Sequence, residues 1–185
     1  MALKATIFRA NLQIADMERS YYLDHALTIA RHPSENDERM MVRVLAFALH
    51  ANEALAFGSS IGNDDEPDLW QKDLTGATKL WIDVGLPDEK RIRRACGRAQ
   101  RVVVYSYGRG ADLWWKQAGA ALRRSANLAV VNLPQEATTA LAKLASKNMQ
   151  LNCTIQDGQV WLGNRDGTVQ VEVEHKLNAH PEQRT

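Results

Sequence analysis

The run Val102-Val103-Val104-Tyr105-Ser106-Tyr107 constrains the fold of this chain most. It carries no charge and does not alternate polar with apolar. A half-solvated strand shows that alternation, so a continuous run of this kind belongs in a sheet covered on both faces. Helix patterns flank it. Pro87 suits a first helical position and Asp88-Glu89 a first turn. Ile92, Ala95, Cys96 and Ala99 then form an apolar stripe toward Arg98. Residues 111–124 read as a further helix, carrying Leu113, Trp114 and Leu122. Strand and helix in alternation imply a layered α/β core.

The ends of the chain read differently. Residues 3–16 and 20–31 have the period of two that marks strands, and they suit a hairpin. Near the other end, strands 149–156, 159–163 and 168–174 are joined by Asp157-Gly158 and Asp166-Gly167, which are strong hairpin turns. Between the ends, Pro33 stops the second strand. Ser34 followed by Asp37 suggests a helix cap. A helix over 35–55 follows, with Met41, Val44, Leu45, Ala48 and Leu49 on its buried stripe and Glu38 along the edge of that stripe. Residues 56–62 read as a short strand or loop. Residues 68–72 and 79–84 read as strands joined through Gly76, 127–132 as a strand, and Pro134 as the start of a helix to Lys147. The expected fold is α/β (α+β), a central mixed sheet flanked by helices, with antiparallel hairpins at both ends that extend or flank it. There is no repeat and no linker. The expectation is one domain over 1–176 and a disordered tail over 177–185.

Composition narrows the function classes. With 185 residues at net charge +1, there is no global attraction to polyanions. No apolar run approaches the ~20 residues that span a bilayer, and Met1 to Arg9 lacks a signal-type apolar stretch. The expected address is therefore the cytoplasm, with no membrane partner. Cys96 and Cys153 have no Cys or His at ligand spacing and read as small hydrophobes. His25, His32 and His50 lack partner spacing. Gly108-Arg109-Gly110 reads as a plain turn, because the later glycine and acid of a dinucleotide site are missing. Trp70, Trp81, Trp114 and Trp115 fall at core spacing, although such rings can also stack on bases.

Charge is distributed unevenly. Lys90, Arg91, Arg93, Arg94, Arg98 and Arg101 follow one another without an intervening acid, while Asp64, Asp65, Glu66 and Asp68 cluster upstream. This fits a metal pocket beside a phosphate-binding surface, or simply a solvated helix face. Asp83 lies on the strand face opposite Leu80, Ile82 and Val84, and a buried carboxylate there needs a cationic partner. A divalent ion is one such partner: Mg²⁺ or Mn²⁺ held by Glu38, Asp68 and Asp83 would activate water for phosphodiester hydrolysis. Glu66 competes with Asp68, since one residue of register reverses the face. The alternative partners are side chains: Lys79 or an Arg for Asp83, and Arg39 or Arg43 for Glu38.

The segments ALKATIFRA at 2–10, ARHPSENDERMM at 30–41, DDEPDLW at 64–70, LWIDVGLPDEKRIRRAC at 80–96 and TIQDGQVWL at 154–162 resemble the YaeQ family over essentially the whole chain. The resemblance implies a variant of the PD-(D/E)XK nuclease fold. By position, Pro67-Asp68 stands for the PD element, Asp83 for the acid of (D/E)XK, and Glu38 for the acid of the first core helix. Where that motif has Lys, this chain has Gly85. A replacement cation would come from the following helix, as Arg91, with Arg94 and Lys90 as alternatives. Two functions are then expected. One is a metal-dependent nuclease-like enzyme using Glu38, Asp68, Asp83 and Arg91, with Lys90, Arg91, Arg94 and Arg98 along the nucleic acid. The other is a catalytically inactive module of the same fold that binds nucleic acid or a regulatory protein partner.

Overall fold

The computed structural model describes residues 4–59 and 63–180. The chain runs β1 (Thr6–Asp16), β2 (Tyr21–Arg31), α1 (Asp37–His50), β3 (Leu55–Phe57), β4 (Leu69–Lys72), β5 (Thr78–Val84), α2 (Glu89–Arg98) and β6 (Ala99–Ser106). It continues with α3 (Ala111–Leu122), β7 (Leu128–Asn132), α4 (Gln135–Ala142), β8 (Asn148–Gln156), β9 (Gln159–Gly163), β10 (Thr168–Val171) and β11 (Glu174–Leu177).

The central sheet has the order β11-β7-β6-β5-β4-β3 and mixes parallel with antiparallel pairs. Both of its faces are covered, as the apolar run in β6 requires. Val103 and Tyr105 face one core with Leu80, Ile82 and Val84. Val102 and Val104 face the other, with Trp81, Ile92, Ala95 and Leu122 from the α2 and α3 side. The chain ends do more than flank this sheet. They build a second one, ordered β10-β9-β8-β1-β2, because β8 pairs in parallel with β1 from Arg9↔Asn148 to Asp16↔Ile155. Helix α1 lies between the two sheets. Met40 to Ala48 is buried without interruption, although the sequence suggests only a one-sided stripe.

Several boundaries shift for local reasons. The cap of α1 is Asn36, whose Oδ1 accepts from Arg39 N at 2.9 Å, and Ser34 turns instead to His32. The helix ends at His50 rather than 55, where the Arg19 guanidinium donates to Ala51 O at 3.0 Å and Ala48 O at 3.2 Å. Asp88, not Pro87, opens α2. The helix expected to reach Lys147 stops at Ala142. The final strand divides, and β11 crosses to the central sheet beside β7. That places the expected tail boundary inside a strand. His180 N still donates to Ala126 O at 2.9 Å, and residues 181–185 lie outside the described residues. So do residues 60–62, part of the segment expected as a short strand or loop. Among the described residues, no helix is long and apolar enough to cross a membrane.

Candidate functional site

The register of β4 against β5, with Leu69 opposite Ile82, brings Asp68 beside Asp83 at the end of the central sheet. Both line a cavity of about 320 Å³ together with Arg39, Ser59, Asn63, Asp64, Glu66, Gly85, Pro87 and Arg91. Asp68, Asp83, Glu66 and Arg91 thus line one cavity, Glu66 together with Asp68 rather than in its place.

Glu38 does not join them. Its Oε1 accepts from the Thr138 hydroxyl at 2.7 Å, across the α1–α4 contact. The acid on the site side is Glu35, one turn earlier and buried at 4% exposure. Glu35 accepts from Arg43 at 2.8 and 2.7 Å and from Arg39 at 3.1 Å. Arg39 in turn donates to Asp68 Oδ1 at 2.6 Å. Arg39 and Arg43, considered as partners for Glu38, thus serve Glu35. Glu35, Arg39 and Arg43 recur every four residues in the sequence, but Glu35 lies before the Asn36 cap, so only Arg39 and Arg43 share the helix, and the pairing follows from how the chain enters α1.

Asp83 is held by Arg91. Its Oδ2 accepts from Arg91 Nε at 2.8 Å and its Oδ1 from Arg91 Nη2 at 2.9 Å, a bidentate fork. Lys79, the other candidate partner, faces Asp73 instead. Burial pushes the Asp83 carboxyl up from its ordinary range, against the pull of Arg91. Trp81 is two residues back on the same strand face. Its buried Nε1 lies beside the Asp83 carboxylate without reaching hydrogen-bond geometry. The Asp88 cap starts α2 so that Arg91, in its first turn, reaches back over the strand end. Gly85, the position at which the motif resemblance would place a Lys, lies at φ 108°, a conformation that L side chains rarely adopt. The cation beside Asp83 is Arg91, from α2.

The remaining expected residues divide into two groups. The Ser59 side chain and then its amide hold the Glu66 carboxyl below its ordinary range, the amide N donating to the carboxylate at 2.8 Å, while the Glu66 backbone O accepts from Arg91 Nη2 at 3.0 Å. Lys90, Arg94 and Arg98 do not line the cavity. Lys90 is exposed and Arg94 half-buried, one helical turn apart on α2, and neither has an ion-pair partner among the described residues. Arg98 pairs with Asp65 at 2.9 Å, and Arg93 with Glu89.

These donors do not fit a divalent cation. Both oxygens of Asp83 are committed to Arg91, and those of Asp68 to Arg39 and to Val84 N at 2.7 Å. A second cation would sit against two guanidinium groups in a buried site, where like charges repel strongly. Among the described residues, no three His, Cys, Asp or Glu side chains are grouped to hold a metal.

The other sequence candidates are structural. Trp81 is in the core, and Trp114 Nε1 donates to Pro87 O at 2.9 Å. Gly108 makes the turn into α3 at φ 88°. Burial pushes both thiols up, Cys153 to about 12, which keeps them protonated.

Comparison with known proteins agrees over most of the chain. The family described as "YaeQ protein" matches residues 1–173. "Uncharacterized protein YaeQ" of Escherichia coli (strain K12) is 42% identical over 174 residues, covering 94% of this chain and 96% of that protein. The protein of the same name from Salmonella typhi is also 42% identical over the same span. The crystal structure of YaeQ protein from Xanthomonas axonopodis pv. citri superposes with a TM-score of 0.91 at 49% identity, covering 96% of this chain and 99% of that one. That from Pseudomonas syringae superposes with a TM-score of 0.91 at 33% identity, covering 94% and 97%.

Proposed function

The chain belongs to the YaeQ family, and from that membership and the ion-paired carboxylates we propose that it binds nucleic acid by its phosphates and does not hydrolyse it. The observation that carries this reading is the bidentate Arg91–Asp83 pair. It puts a fixed guanidinium where a hydrolytic site of this fold needs exchangeable ligands. An ion held by one or two carboxylates must keep room for water and phosphate. Here the carboxylates serve the fold instead.

The binding surface is the outward side of α2. Lys90, exposed, and Arg94, half-buried, lie one turn apart without an ion-pair partner among the described residues, flanked by Arg93 and Arg98, whose partners Glu89 and Asp65 have exposed side chains. Arg91 is excluded from this surface, because its donors are turned inward. Contacts of this kind follow the backbone and carry no base information.

The test is fluorescence anisotropy of labelled DNA and RNA, single- and double-stranded, across a KCl series. Binding should weaken as salt rises, and the Lys90→Ala/Arg94→Ala double variant should reduce the log–log slope on duplex by about 2. A slope unchanged in that variant would remove Lys90 and Arg94 as the binding surface, and no saturable binding of any of these nucleic acids by the wild-type chain would leave the protein-partner reading. Mn²⁺- or Mg²⁺-dependent cleavage that disappears in Asp83→Ala would restore the hydrolytic one.

A further inference from the structure

We propose that a second cavity, set between the two sheets, is a binding site for a small uncharged molecule with an apolar body and one hydroxyl or carbonyl oxygen. It shares no lining residue with the Asp68/Asp83 cavity and none with α2, so it stands apart from the nucleic-acid reading.

Size and walls limit what can enter. The cavity holds about 190 Å³. An apolar cavity of roughly 150 Å³ takes up benzene, so this one suits a single ring with a short substituent. Leu49 from α1, Val131 from β7, Ile155 from β8, Val160 from β9 and Val173 from the link between β10 and β11 form its apolar wall.

Two polar side chains complete the lining. The hydroxyl of Tyr105, a residue only 4% exposed, lies 2.6 Å from His50 Nε2. It has no other partner among the described residues, and a buried hydroxyl without an acceptor is costly. Its one proton is therefore assigned to the bond with Nε2, which leaves the imidazole proton on Nδ1. Nδ1 has no partner among the described residues, and it is not sealed from solvent. The pair thus offers an unmatched N–H beside an apolar wall, which calls for an acceptor oxygen on the occupant.

Charge excludes the ionic alternatives. Burial, then Arg101 and Arg19, push the imidazole down to about 3, and burial pushes the Tyr105 phenol up. The pair is neutral at working pH and answers no ion. The same two guanidinium groups repel a cation, and Arg19 is fixed at the end of α1 by Ala51 O and Ala48 O. An anion meets the carboxylate of exposed Glu18 at the rim, held there by Gly158 N.

The experiment follows four matched probes by NMR on the full chain: benzyl alcohol, toluene, benzylammonium and benzoate. Benzyl alcohol should give saturable shifts at the methyl groups of Ile155, Val160 and Val173, and the two ions should not. The ring-nitrogen signals of His50 should move with the alcohol and stay still with toluene, even where toluene enters. His50→Phe should weaken the alcohol about tenfold, the loss expected of one hydrogen bond, without weakening toluene. Val173→Phe fills the cavity from its wall and should abolish uptake of both. Should either variant fail to fold, the probe comparison on the wild-type chain decides alone. No saturable binding of the alcohol, shifts that persist in a folded Val173→Phe, or tighter binding of either ion overturns the inference. So does an alcohol that binds a folded His50→Phe as tightly as wild type. None of these outcomes bears on the α2 surface.

Discussion

Arg43 is the largest fully buried side chain among the described residues, and its charge is answered by Glu35, which is also buried. Removing one member of such a pair leaves a charge without partner or solvent, which costs about 3–5 kcal/mol. Glu35→Ala should therefore lose stability on that scale in urea unfolding. Replacing both residues by Met and Leu should recover most of the loss, because desolvation of the pair is then avoided. His50 is a second residue whose environment sets its charge. Its Nε2 is 2.6 Å from the Tyr105 hydroxyl, and burial, with Arg101 and Arg19 nearby, pushes the imidazole down to about 3. As pH falls below 6.5 the unfolded chain takes up this proton and the folded chain does not. The contribution is therefore complete above pH 6.5 and is lost as pH falls toward 3. Stability measured against pH should fall less steeply below 6.5 in His50→Gln than in wild type. Neither feature was legible from spacing alone. His50 had no sequence partner, since Tyr105 is a distant strand residue, and Glu38 looked like the functional acid because it borders the buried stripe of α1.

At the scale of elements, the site is only as well placed as the start of α2 and the entry to β4. The Asp88 carboxylate accepts from Arg91 N at 2.7 Å, so the cap fixes the residue that neutralises Asp83. Asp88→Ala should lower stability by about 1 kcal/mol, read from chemical unfolding. Gly58 holds the other side. It donates to Asp68 O at 2.9 Å, and a Cβ there would lie 2.0 Å from Pro67 O. Backbone cannot yield as a flexible side chain does, so Gly58→Ala should displace Pro67-Asp68. The change would appear as amide shifts at Asp68 and Val84 in NMR spectra, with a lower melting temperature. The sequence marked β4, β5 and α2 clearly, because their periods, Gly76 and the acidic first turn act within a few residues. It placed the caps less well, since Ser34 and Asn36 are both good cap residues and His32 competes for the first.

Across the whole molecule, two sheets share one buried helix. The second sheet exists only because β8 reaches back to β1, pairing residues that are far apart in sequence. Leu12 and Ile14 from β1 and Leu151 and Cys153 from β8 belong to the same core as α1. A chain ending at 145 would leave β1 without its parallel neighbour and expose the face of α1 that this sheet covers. It should lack the cooperative unfolding transition of the full chain when followed by circular dichroism.

What the sequence settled by itself was the local character of each segment: the hairpins at both ends, the doubly covered strand expected at 102–107 and formed at Ala99–Ser106, and the Asp68/Asp83 pairing across a short hairpin. Those properties come from side-chain period and turn chemistry, which act over a few neighbours. Tertiary structure decided the rest. It settled that the ends form their own sheet, that α1 is buried all round, and that Arg91 and Arg39 take up the carboxylates. Coulomb attraction leaves no periodic trace along a chain, so a charge finds its partner only when packing brings the two together.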